Sequence, residues 1–159
     1  VLFRSWAWDK NSNRVSTDLK EGNEGGTSIV GSASQGIIGV RHPLTPKKFY
    51  ILTTGDVIGG ANPPLSYNLF NENGVQITGA TSLGVNAAEG IAATFHENKL
   101  DIWVTVLGYS STTLYSFLLT CDGFVDPPVE TNLGYSQTGD AGRGGIAFWR
   151  RDNWRKNEV

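Results

Sequence analysis

The chain has 159 residues, of which 39% are hydrophobic, 18% charged and 20 are glycine, and its net charge is −2. This composition suits a turn-rich globular chain and excludes a disordered or fibrous one, while near-neutral charge gives no reason to expect nucleic acid. A single cysteine, Cys121, excludes an internal disulfide and a thiolate metal cluster.

In chain order, residues 3–15 read as the later part of a repeat unit, with Asp9-Lys10-Asn11-Ser12-Asn13 in the place of its hairpin turn. Residues 36–41, 48–54, 65–71 and 75–78 then predict four strands, with Asn71-Glu72-Asn73-Gly74 turning the last hairpin. A second set follows at 90–95, 101–107, 113–120 and 124–125 with Val129, its hairpin turned by Cys121-Asp122-Gly123. No stretch sustains apolar spacing of three and four, so no helix is predicted.

The two sets are copies of one unit. Gly36-Ile37-Ile38-Gly39-Val40-Arg41-His42 recurs 54 residues on as Gly90-Ile91-Ala92-Ala93-Thr94-Phe95-His96. Phe49-Tyr50-Ile51-Leu52-Thr53-Thr54-Gly55 recurs 53 residues on as Ile102-Trp103-Val104-Thr105-Val106-Leu107-Gly108. Leu65-Ser66-Tyr67-Asn68-Leu69-Phe70 recurs 49 residues on as Leu114-Tyr115-Ser116-Phe117-Leu118-Leu119, and a third copy opens at Gly145-Ile146-Ala147-Phe148-Trp149. A period of about 40 to 55 residues built of short strands is the sequence signature of propeller blades.

The predicted fold is therefore all-β: an incomplete β-propeller-like array of four-stranded antiparallel blades, with a β-sandwich as the alternative. One β-repeat domain or fragment divides into a partial blade 1–30, a blade 31–84, a blade 85–134 and a partial blade 135–159. Strands apolar on both sides, such as Ile102-Trp103-Val104-Thr105-Val106-Leu107, suit burial between neighbouring sheets, which predicts a largely buried Trp103. Methionine is absent, position 1 included, and both ends fall within a repeat, so the expectation is a piece of a longer parent chain. No signal peptide is read at the start, and no run reaches the ~18 apolar residues of a helical membrane span. An open array exposes apolar end faces, so the isolated chain is expected to self-associate or to be ordered only in a larger assembly.

Several of these stretches resemble the propeller-like region of large cell-surface proteins of Bacteroidetes associated with gliding motility and type IX secretion. They are Trp8-Asp9-Lys10-Asn11, Ser32-Ala33-Ser34-Gln35-Gly36-Ile37-Ile38, the turn from Pro43 to Pro46, Phe49-Tyr50-Ile51-Leu52-Thr53, Leu65-Ser66-Tyr67 and Asp101-Ile102-Trp103-Val104-Thr105. The resemblance spans most of positions 3 to 135. It implies an extracellular or cell-surface bacterial protein and brings no catalytic motif. The end departs from the pattern: Arg150-Arg151-Asp152-Asn153 stands where that family shows a Ser-Pro-Asp-Gly turn.

Candidate chemistry is sparse. His42 and His96 hold equivalent places, one per unit, and a turn role is expected for them rather than a metal or acid–base pair. Asp9-X-Asn11-X-Asn13 matches half of a calcium loop but lacks its later glycine and glutamate, so it reads as a turn. Gly142-Arg143-Gly144-Gly145 lacks the Lys-Ser/Thr of a phosphate loop. Cys121 has no basic neighbour in sequence to favour a thiolate. Asp56, Glu89 and Asp101 are the carboxylates a glycosidase would need, and nothing in the sequence pairs them. No catalytic, metal or cofactor residue is assigned and no cofactor is implied.

The one cluster suited to ligand or partner contact lies near the C-terminus: Trp149, Arg150, Arg151, Trp154 and Arg155. The last 17 residues carry a charge of +3 against −5 on the preceding 142. Interleaved aromatics and cations suit stacking on sugars, while the acidic body would repel a polyanion. The expected function is a non-enzymatic structural or interaction module of a surface-exposed or secreted protein, used in adhesion or assembly. Its expected partners are the rest of a longer parent chain or other protein subunits. The alternative is a carbohydrate-binding or carbohydrate-active propeller, which would take glycans and act as a lectin or a glycoside hydrolase.

Overall fold

The computed structural model describes residues 36–54, 64–134 and 146–148. The described residues form an eight-stranded antiparallel sheet, open rather than closed, with no helix among them. The strands are β1 (Ile37–Arg41), β2 (Lys48–Thr54), β3 (Pro64–Asn71), β4 (Gln76–Phe95), β5 (Ile102–Gly108), β6 (Thr113–Thr120), β7 (Gly123–Phe124) and β8 (Val129–Asn132). Their order in the sheet is sequential from β1 to β7, with β8 beside β7 along the same edge of β6.

The repeat offsets reappear as strand registers. Ile37 pairs with Thr53 and Arg41 with Phe49 in β1–β2; Ile91 pairs with Val106 and Phe95 with Ile102 in β4–β5. Those are the same pairs moved by 54 residues on one strand and 53 on the other. Phe49 pairs with Phe70 in β2–β3, and Ile102 with Leu119 in β5–β6, which moves the pair by 53 and 49. Each copy is thus a four-stranded meander: β1, β2, β3 and the first half of β4, then the second half of β4, β5, β6 and β7 with β8.

Turn chemistry sets the hairpins. The Asn71 Oδ1 accepts the Asn73 and Val75 N–H groups at 3.0 and 2.9 Å, and Gly74 takes the positive φ of 73° that closes the turn. In the second unit Gly123 takes φ 116° at the equivalent place, and Thr120 Oγ1 accepts the Asp122 N–H. In the β4–β5 turn the Asn98 side chain accepts the Leu100 and Asp101 N–H groups at 2.9 and 3.0 Å.

One element differs from the sequence expectation. Separate strands at 75–78 and 90–95 are predicted, but β4 runs unbroken through Gly79, Gly84 and Gly90 and joins the two units. Thr81, Leu83 and Val85 are partly buried while Ser82, Gly84 and Asn86 are exposed, which is the two-residue period of a strand. Gly84 takes φ 76°, and the pairing shifts between Ala87 and Ile91, so glycine is spent on bulges rather than breaks. The boundary expected between 84 and 85 falls inside this strand.

The units pack face on face through one core: Val40, Tyr50, Leu52 and Leu65 from the first, with Ile91, Ile102, Val104, Val106, Phe117 and Leu119 from the second. Tyr50 and Tyr67 both meet Phe124, with ring centroids 5.6 and 5.0 Å apart. Opposite faces are used. The first unit contributes the Tyr50–Leu52–Tyr67 side. The second contributes Val104, Phe117 and Leu119, whose repeat equivalents Ile51, Asn68 and Phe70 lie on the first unit's other side. The two faces that meet are therefore not repeat equivalents of each other, and the packing is front to back.

Candidate functional site

His42 directly follows β1, and the chain turns through Pro43 to Pro46 before β2. Its Nδ1 accepts the Leu44 and Thr45 N–H groups at 3.2 and 3.1 Å, and its ring stacks on Tyr50 with centroids 5.7 Å apart. His96 repeats the device in the second unit: Nδ1 accepts the Asn98 N–H at 3.2 Å, and the ring tilts against Trp103 at 5.8 Å. Both imidazoles organise the turns that follow them.

Burial, and secondarily the Lys48 ammonium, hold the His42 imidazolium below its ordinary pKa of 6.5. The folded chain resists a proton that the unfolded chain accepts. Stability is expected to be unaffected by this group above about pH 6.5 and to fall as pH drops from there toward the depressed folded value. Urea midpoints measured over about pH 4 to 8 check this. His42→Asn, which keeps a side-chain acceptor but does not titrate, should remove that portion of the acid sensitivity.

The β1–β2 and β4–β5 turns lie at one end of the molecule. Repeat-equivalent Arg41 and Phe95 touch there, the Arg41 guanidinium carbon standing 4.7 Å from the Phe95 ring centroid. Around them Leu44, Phe95 and Leu100 are exposed at 71%, 53% and 59%. Trp103 is only partly buried, not enclosed as the sequence predicts, and it lies on the face of the second unit opposite to the one that packs on the first. Trp103→Ala should consequently cost only about 1 to 2 kcal/mol, measurable by chemical denaturation.

This turn-bearing end, with a cation, a half-buried indole and three exposed apolar side chains, is the candidate contact surface. Its chemistry suits a protein surface or a sugar face. The other candidates are scattered. Glu89 is buried within β4, and the Asp101 Oδ2 accepts the Asn98 side-chain amide at 2.7 Å. Cys121 is exposed at the β6–β7 turn. Among the described residues no group of three or more His, Cys, Asp or Glu side chains converges, and no helix is long and apolar enough to cross a membrane. The residues predicted from sequence for ligand or partner contact, Trp149, Arg150, Arg151, Trp154 and Arg155, lie outside the described residues, as do Asp56, the Asp9–Asn13 turn and Gly142–Gly145.

Sequence reasoning did not foresee the Arg41–Phe95 contact, although the signal was present: positions 41 and 95 are repeat equivalents, and stacked units bring such positions together. Comparison with protein families, curated proteins and solved structures finds no match to this chain.

Proposed function

We propose that the chain is a non-enzymatic structural and interaction module, its two units acting as blades of a β-propeller-type array in a surface-exposed or secreted bacterial protein. The observation that carries the reading is front-to-back packing of two meanders whose registers follow the sequence repeat. Such packing propagates: each added unit offers a new front to the next unit's back. The strand and turn resemblance to gliding-associated surface proteins supports a role in adhesion or assembly, with a longer parent chain or other subunits as partners. The exposed turn end is the surface such a module would display.

Half-buried Trp103 beside His96 supports a second reading, a carbohydrate-binding or carbohydrate-active propeller, since an indole face is a platform for sugars. Two assays separate the readings. The proposed module turns over none of a panel of chromogenic glycosides and gives no specific signal on a glycan array. A glycan signal abolished by Trp103→Ala would replace the scaffold reading with a lectin, and turnover would replace it with a hydrolase.

A further inference from the structure

We infer that His42 is an acid-released clasp: protonation of its imidazole opens the 42–47 turn at the contact end of the molecule, while the equivalent turn of the second unit stays closed. Pro43 and Pro46 have no N–H, so Leu44, Thr45 and Lys47 carry the only amide hydrogens between His42 and Lys48. Two of these three, from Leu44 and Thr45, are donated to the His42 Nδ1 at 3.2 and 3.1 Å. The backbone itself adds the His42 N–H to the Lys48 carbonyl and the Lys48 N–H to the Thr45 carbonyl, each at 2.9 Å.

An imidazolium donates from both nitrogens and accepts at neither, so no rotation of the protonated ring restores the two Nδ1 bonds. The ring is only 9% exposed, which makes an abandoned amide hydrogen costly unless the turn opens to water. The groups around it do not welcome a cation. Lys48 and Tyr50 face it from β2, Tyr67 of β3 lies edge-on to Tyr50, Arg41 precedes it on β1 and Lys47 shares its turn. The Glu72 carboxylate, in the β3–β4 turn, is engaged by the Lys47 ammonium at 3.1 Å. The Tyr50 ring face attracts a cation, yet it cannot take up the Leu44 and Thr45 hydrogens.

The second unit is built differently at this point. The His96 Nδ1 takes one N–H, that of Asn98, and the Asn98 Oδ1, which does not titrate, takes those of Leu100 and Asp101. Two places after the histidine stands Asn98 in that turn and Leu44 in this one, so no such amide backs up His42. Opening displaces Leu44, the most exposed apolar side chain of the contact end, and slackens the adjoining Arg41 on Phe95.

Amide hydrogen exchange of the 159-residue chain, followed by NMR from about pH 7.5 to 4.5 and corrected for intrinsic rates, tests the clasp. Opening takes up one proton. Protection at Leu44 and Thr45 should therefore fall by up to about tenfold per pH unit below 6.5, levelling off at the depressed folded value. Leu100 and Asp101 should keep theirs. Because the opening is local, Leu44 and Thr45 should stay less protected than the amides of β5 and β6 throughout. His42→Asn, which places an Oδ1 as Asn98 does, should hold the turn closed and abolish the pH dependence. Protection at Leu44 and Thr45 that ignores pH overturns the inference. So does protection equal to that of β5 and β6, which would reduce the effect to unfolding of the whole chain. A His42→Asn chain with unchanged pH dependence assigns it to another group and overturns the clasp equally. The first two outcomes need no variant, so they decide the matter even if His42→Asn does not fold.

Discussion

Phe117→Ala is expected to destabilise the chain by about 3 to 5 kcal/mol. Its side chain is 1% exposed and sits at the centre of the core, where β6 brings it opposite Val104, with Phe124 edge-on at 6.4 Å. Removal leaves a cavity walled by two sheets, and the hydrogen-bonded ladders on either side limit how far those walls can relax. Denaturant unfolding monitored by circular dichroism gives the number. A loss near 1 kcal/mol would mean that this face of the second unit is solvated, contrary to the packing described.

Tyr50→Ala is expected to have a comparable effect, about 3 to 5 kcal/mol, for a different reason. The Tyr50 ring joins the units: it meets Phe124 of the second unit while lying against Tyr67 and stacking on His42 in its own. Its loss should loosen the seam and the β1–β2 turn together. Burial, with the neighbouring Tyr67 second, raises the Tyr50 phenol above its usual pKa, consistent with a ring enclosed at that seam. A double-mutant cycle with Phe124→Ala should return a coupling of about 0.5 to 1.5 kcal/mol. Zero coupling would separate the two rings.

Much of this arrangement was legible in the sequence because backbone pairing follows residue spacing. The 54, 53 and 49-residue offsets define which strand lies opposite which, and β2 and β6 run from Lys48 to Thr54 and from Thr113 to Thr120 as predicted. Asn-Gly and Asp-Gly mark the equivalent hairpins because those residues tolerate positive φ. The continuity of β4 was hidden by its glycines, which ordinarily end strands and here accommodate bulges. The position of Trp103 was hidden for another reason. A strand apolar on both sides reveals that both faces are covered or partly covered, but not which one meets the neighbouring unit. That choice depends on the sense of stacking, which no single strand encodes. The same holds for the contact surface, since Arg41 and Phe95 meet only once the units are laid front to back.

The front-to-back sense of that stacking is therefore the feature to measure, and proton–proton nuclear Overhauser effects among the aromatic rings of the labelled chain read it directly. Tyr50 and Tyr67 are predicted to show cross-peaks to Phe124, whose ring centroid lies 5.6 and 5.0 Å from theirs. Cross-peaks from Tyr50 to Trp103 in their place would join like faces and contradict the account, making the chain a two-fold sandwich.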